Sequence, residues 1–197
     1  MTREKTGRII GATFGLAFMQ VNAATLPTAA AIPVRVLALI AFLAVFRGVR
    51  RLPAPPPAET APAETAPAET APAETRRHFG RRYGYVVGAE VLAAVAGILV
   101  INHLLHAPHA MVAWIAFVVG VHFFGLAAVW RTPSLNLLAA AMSACGAVGL
   151  VMAALGSSRA AIASVAGILP GALLLGSVWW SLRASATPAP TATGSAS

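Results

Sequence analysis

The length of the apolar runs constrains this chain more than any other feature. Residues 114–130 read WIAFVVGVHFFGLAAVW, with no acid, lysine or arginine, and residues 86–100 read VVGAEVLAAVAGILV, with one carboxylate. A bilayer core of about 30 Å takes about 20 helical residues to cross, and runs of this kind recur along the chain. In lipid every backbone N–H and C=O must be bonded within the protein, which leaves helices and closed barrels. The period-two alternation of barrel strands is missing, so helices remain. Composition agrees. The 197 residues are 58% hydrophobic and 10% charged, with mean hydropathy +0.76, whereas a soluble domain carries about a quarter charged residues. The expected fold is all-α, a polytopic transmembrane helical bundle.

Six spans are predicted, at residues 9–25, 28–46, 83–105, 109–130, 134–155 and 160–182. Pro27, Pro108 and Pro133 fall at the joints, where a missing N–H costs least. Pro33 and Pro170 fall within spans, where kinks are expected. Gly11 and Gly15 form a GxxxG in the first span, and Ala163, Gly167 and Gly171 repeat that spacing in the sixth. The fifth, LLAAAMSACGAVGLVMAALG, is small nearly all round. Small residues let helix backbones approach closely in lipid, so the fifth span is the expected central helix. The same faces suit a homo-oligomer.

Between the second and third spans lies PAETAPAETAPAETAPAET, residues 57–75, with a five-residue repeat that matches no solenoid period. Alanine and proline without a large apolar residue build no core, so an extended, disordered cytoplasmic spacer is expected. It divides the chain 2 + 4: a two-helix unit at 1–52, the linker with basic flanks at 53–82, and a four-helix unit at 83–183. A disordered tail, rich in Ala, Thr, Ser and Pro, occupies 184–197.

Net charge is +8, with arginine outnumbering lysine thirteen to one. The charge collects in the loops and does not form a nucleic-acid patch. Twelve of these cations lie on one predicted side: Arg3, Lys5, Arg8, Arg47, Arg50, Arg51, Arg76, Arg77, Arg81, Arg82, Arg131 and Arg183. The other side holds two, Arg35 and Arg159. By the positive-inside rule both termini are cytoplasmic. Trp114 and Trp130, about 24 Å apart at helical rise, fit interfacial anchors. The lipid bilayer is the expected partner, and the arginine, alanine and glycine usage suggests a bacterial plasma membrane. A competing reading takes the basic start, apolar middle and Val21-Asn22-Ala23 as a cleaved signal peptide, leaving five spans.

The polar residues inside the spans are the candidate sites. The chain has no aspartate, and Glu90 is its one acid within an apolar run. A carboxylate at such a depth is costly and usually turns inward toward a partner. Glu90 lies eight residues past Arg82 and His122 nine before Arg131, depths of about 12 and 13–14 Å on consecutive antiparallel helices. They form either a hydrogen bond joining the two helices or a proton-handling pair, since imidazole titrates near neutrality. Glu90 meeting Arg81 or Arg82 at the interface is the third option. His103 and His106 in INHLLHAPHA share a helical face. His109 completes a metal set only if the Pro108 turn folds it back. Asn22 joins that cluster or caps a helix. Cys145 reads as a small buried hydrophobe. No cofactor is indicated.

The segments WIAFVVGVHFFGLAAVWRTP, GATFGLAFMQVNAATLP and ILPGALLLGSVWW resemble small multispan integral membrane proteins of actinobacteria whose function is uncharacterised. Gly125 stands where similar proteins carry a proline. The resemblance implies a helical plasma-membrane protein and carries no activity, substrate or site assignment. A non-enzymatic membrane protein is the first expectation. A small proton-coupled transporter using Glu90 and His122 is the second, and a metalloenzyme using the outer histidines is the third.

Overall fold

A computed structural model of the chain describes residues 3–52, 88, 90–130 and 132–186. The APAET repeat, Arg76, Arg77, Arg81, Arg82, Arg131 and residues 187–197 lie outside the described residues. Within the described part there are six helices and no strand: α1 Arg3–Asn22, α2 Thr28–Arg51, α3 Glu90–Leu104, α4 Met111–Trp130, α5 Ser134–Ala154 and α6 Arg159–Ser185. Four of these, α2, α4, α5 and α6, are long and apolar enough to cross a membrane. α1 opens on charged turns, and α3 is shorter over its described residues.

Local chemistry sets the helix ends. α1 tightens into a 3₁₀ turn at Ala23–Thr25 before Pro27 starts α2. α5 ends on Gly156 at φ +73°. There Ser157 N–H bonds Met152 carbonyl at 2.9 Å and Gly156 N–H bonds Ala153 carbonyl at 3.1 Å, the pairing that closes a helix over a left-handed glycine. Ser158 then caps α6 by accepting from Ala161 N–H at 3.2 Å. α2 runs unbroken through Pro33. In α6 a wider π turn, Ser164–Ile168, directly precedes Pro170, with Leu169 N–H reaching back to Ser164. A proline ring clashes with the carbonyl four residues earlier. The wider turn at that point is a local accommodation of the ring.

Contacts along the helices fix an alternating up-and-down arrangement. Gly11 meets Val178, Gly15 meets Gly171 and Asn22 meets Gly167, so α1 and α6 run antiparallel. A Cβ on Gly15 would lie 2.8 Å from Gly171 carbonyl, and one on Gly171 would lie 2.7 Å from Gly15 carbonyl. Either would force the backbones apart. Gly120 against Ser143, Gly146 against Phe117 and Gly149 against Ala113 align α4 and α5 in the same way. The buried residues of α5, Ala139, Met142, Gly146 and Gly149, recur at alternating spacings of three and four, a seam for helices crossing at a shallow angle. Ser143 Oγ, buried without a hydrogen-bond partner, lies in this seam.

The helix at the centre is α6, not α5. Half of its apolar window is buried, against a third of that of α5. It packs on α1, α2, α4 and α5. All-round small residues allow close approach, but they supply little side-chain area to bury. α6 combines Gly167 and Gly171 with Ile162, Leu174, Leu175, Val178 and Leu182, all buried. One apolar cluster joins Ala12, Val45, Val49, Leu175, Val178 and Leu182, and another joins Ala113, Ile162 and Ala166. Large apolar side chains meanwhile face outward on α2, α3 and α5, among them Leu37, Ile40, Leu92, Leu137 and Val151. Apolar surface of that extent suits lipid or a partner better than water.

Candidate functional site

The one acid within an apolar run, Glu90, stands on the seam between α3 and α4. α3 turns one face inward, with Glu90, Ala94, Gly97 and Ile101 at helical spacing, while Val91, Leu92, Val95 and Leu99 point out. Glu90 Oε2 lies 2.5 Å from His122 Nδ1. The two atoms share a proton: the imidazole N–H donates to a carboxylate, or a carboxylic acid donates to the ring nitrogen. Glu90 keeps 19% of its side-chain surface exposed and His122 35%, so the pair sits at the edge of the seam and not in a dry core. Gly125 leaves space beside it: a Cβ there would reach Glu90 Oε1 at 3.9 Å.

Two further contacts continue the line. Trp114 Nε1–H donates to Ala94 carbonyl at 3.1 Å, and its indole covers Gly97 so closely that a Cβ on Gly97 would overlap the ring. Asn102 Nδ2–H points at Met111 Sδ at 3.8 Å, a weak bond. Stepping seven residues along α3 from Glu90 to Gly97 matches eight back along α4 from His122 to Trp114. That is the register of an antiparallel pair. The seam is thus tied by the Glu90–His122 pair, the indole bond with its glycine contact, and the weak Asn102–Met111 bond.

No family model, curated protein or solved structure matches the chain.

The structure brings Glu90 and His122 together, while Arg81 and Arg82 lie outside the described residues. It does not gather the outer histidines: no three His, Cys, Asp or Glu side chains among the described residues stand close enough to hold a metal. The expected shared face of His103 and His106 is lost because α3 ends at Leu104. His106 takes φ +48°, a left-handed conformation, and Ala107 N–H closes the turn onto Ile101 carbonyl at 3.1 Å. His109 sits in the Pro108–Ala110 turn that starts the return. Asn22 belongs to the α1–α6 contact. It is buried, its Nδ2–H donates to Phe18 carbonyl at 2.7 Å, and it rests on Gly167. Cys145 is half-buried on α5 with a free thiol.

Sequence reasoning placed Trp114 at the membrane interface as an anchor and missed its bond to α3. The signal was present. Once Glu90 is set opposite His122, antiparallel register places Gly97, the one residue of that face without a side chain, opposite Trp114. Gln20 was also missed; its Nε2–H donates to Arg35 carbonyl at 3.0 Å and ties α1 to α2.

The basic residues form a second grouping. Lys5 Nζ–H donates to Leu52 carbonyl at 2.7 Å, and Arg8 Nη2–H donates to Ser185 Oγ at 3.0 Å. The start of α1 therefore meets the ends of α2 and α6, and Lys5, Arg8, Arg47, Arg50, Arg51 and Arg183 share one end of the bundle. Arg50 lies over Phe46 and Arg183 over Trp179, 5.6 and 5.0 Å from the ring centroids.

Proposed function

We propose that the chain is a non-enzymatic, multi-pass protein of a bacterial plasma membrane, with both termini in the cytoplasm, that acts through its packed helices or through a partner. The observation that carries this reading is the Glu90–His122 contact: the acid within an apolar run is engaged in joining α3 to α4. Four spanning-length apolar helices and outward-facing leucine and valine support the membrane setting. The resemblance to small actinobacterial membrane proteins agrees with it. The shared basic end supports a cytoplasmic placement of that end, since arginine and lysine are retained on the inner side. Gly11, Gly15, Gly167 and Gly171 are engaged within the chain, so an oligomer would use other faces.

Stability and pH response of Glu90 variants separate this reading from its rival. An amide at position 90 still donates and accepts, so Glu90→Gln leaves the folded protein nearly unchanged. Glu90→Leu strands His122 and costs about 1–2 kcal/mol, the scale of interhelical hydrogen bonds in membranes. The second reading is proton-coupled transport. It is favoured by the partial exposure of the pair, which leaves His122 uncovered at the edge of the seam. Under that reading Glu90→Gln abolishes a pH-driven flux in proteoliposomes while the protein stays folded. A pH-driven flux in the unmodified protein that this variant removes would overturn the structural reading.

A further inference from the structure

We infer that the open side of the Glu90–His122 pair binds an organic ammonium ion with an apolar body, whose N–H donates to Glu90 Oε1. The inference goes beyond the joining of α3 to α4 and rests on the same contact. His122 Nδ1 engages one carboxylate oxygen, Oε2, and leaves the other. Oε1 takes no hydrogen bond from any described residue. The far side of the ring is alike: His122 Nε2 has no partner among the described residues, and 35% of that side chain is exposed. A carboxylate accepts on both oxygens, and a neutral imidazole that donates from Nδ1 accepts at Nε2. An acceptor drawn away from water and left without a donor costs free energy. With a single proton between the two groups, the pair carries one net negative charge. His122 holds that charge in place, so a ligand meets a carboxylate already oriented.

The surroundings select the kind of cation. α4 carries no lysine, arginine, aspartate or glutamate, and neither does α5, which packs along it. His122 is the titratable group set against Glu90 from α4. A protein-bound metal ion usually takes three or more protein ligands, and no three His, Cys, Asp or Glu side chains stand together among the described residues. The rim is apolar. Val121 and Gly125 lie one turn apart beside His122 and share a face, with Val121 39% exposed. A Cβ on Gly125 would reach Glu90 Oε1 at 3.9 Å and meet nothing else within 4 Å. Gly125 therefore leaves a notch that opens on the carboxylate. Phe123 stands edge-on to the His122 ring, 6.5 Å between centroids. A bare ammonium loses hydration at such a place. One attached to an apolar body recovers it by covering Val121 and the notch, and its N–H makes a charge-assisted bond to Oε1.

The test is equilibrium dialysis of radiolabelled hexylammonium against the full chain in detergent micelles, with protein-free micelles as the blank. Saturable binding of one hexylammonium per chain is expected near pH 8, undisplaced by hexanol, which has the same body without the charge. Added protons neutralise the pair whichever group takes them, so binding should be roughly tenfold weaker at pH 5.5. Glu90→Gln keeps a partner for His122 but removes the charge, and should abolish saturable binding while the protein stays monodisperse. Gly125→Leu fills the notch and should abolish binding with the charge intact. Gly125→Ala adds a single carbon at ordinary contact distance; it should keep most of the binding and shows that the helix tolerates the position. Displacement by hexanol as effective as by unlabelled hexylammonium overturns the proposal, since an apolar surface alone would then be read. Binding that survives Glu90→Gln also overturns it. So does a lack of saturable binding in the unmodified chain, because water then suffices for Oε1. A double-mutant cycle on Glu90 and His122, scored separately by unfolding, reports whether the pair itself has failed.

Discussion

At the residue scale, Glu90, His122 and Trp114 are each explained by the helix opposite. Glu90 and His122 were legible in sequence because depth can be counted from the flanking arginines, Arg82 and Arg131. Facing could not be counted that way. It follows from a seam that also needs Gly97 and Trp114, and those two residues carry no charge to mark them. His103 and His106 are spaced for one helical face, but α3 ends at Leu104, two residues before a left-handed His106. Trp114→Phe keeps the ring on Gly97 but removes the bond to Ala94 carbonyl. It should lower stability by about 0.5–1 kcal/mol, within the range measured for interhelical bonds in membranes. Unfolding in mixed micelles measures it, and an unchanged midpoint would remove that bond from the seam.

At the element scale, α4, α5 and α6 were legible to within a turn because apolar runs and prolines mark their ends, whereas α1 begins six residues earlier and α2 ends five residues later than the apolar runs, through charged turns. Pro27, Pro108 and Pro133 each fall at a joint, and the GxxxG spacings fall on real contacts. Their partners were not legible. Gly11 and Gly15 pack on the helix farthest away in sequence, and only the third dimension supplies that pairing. The hub was misread because small residues indicate close approach, not buried area, and α6 has both. The α4–α5 seam is expected to be the most sensitive to added volume. Gly146→Leu would drive a side chain into the backbone at Phe117 and should cost about 3 kcal/mol or more, the upper end for overpacked sites. Gly176→Ala, in open space, should stay within about 0.5 kcal/mol. Equal costs at the two sites in a detergent unfolding series would contradict this packing.

At the scale of the whole molecule, the described residues form a run of alternating helices, and the basic ends of α1, α2 and α6 meet at one end of the bundle. Reporter fusions at Ser197 and near Ala107 should report opposite sides of the membrane; the same side for both would contradict the proposed threading. Deleting residues 57–75 removes only alanine, proline, threonine and glutamate, and the purified protein should remain monodisperse, because such a segment buries little. Loss of the folded protein on that deletion would give the repeat a structural role. The α3–α4 seam fixes how the chain re-enters the bundle after the linker, and a double-mutant cycle tests it most directly. Glu90→Leu and His122→Leu, singly and together, should give a coupling of about 0.6–1.7 kcal/mol in a bilayer-mimetic unfolding assay, the range found for interhelical bonds. Strictly additive losses, with a coupling near zero, would contradict a direct bond between the two side chains.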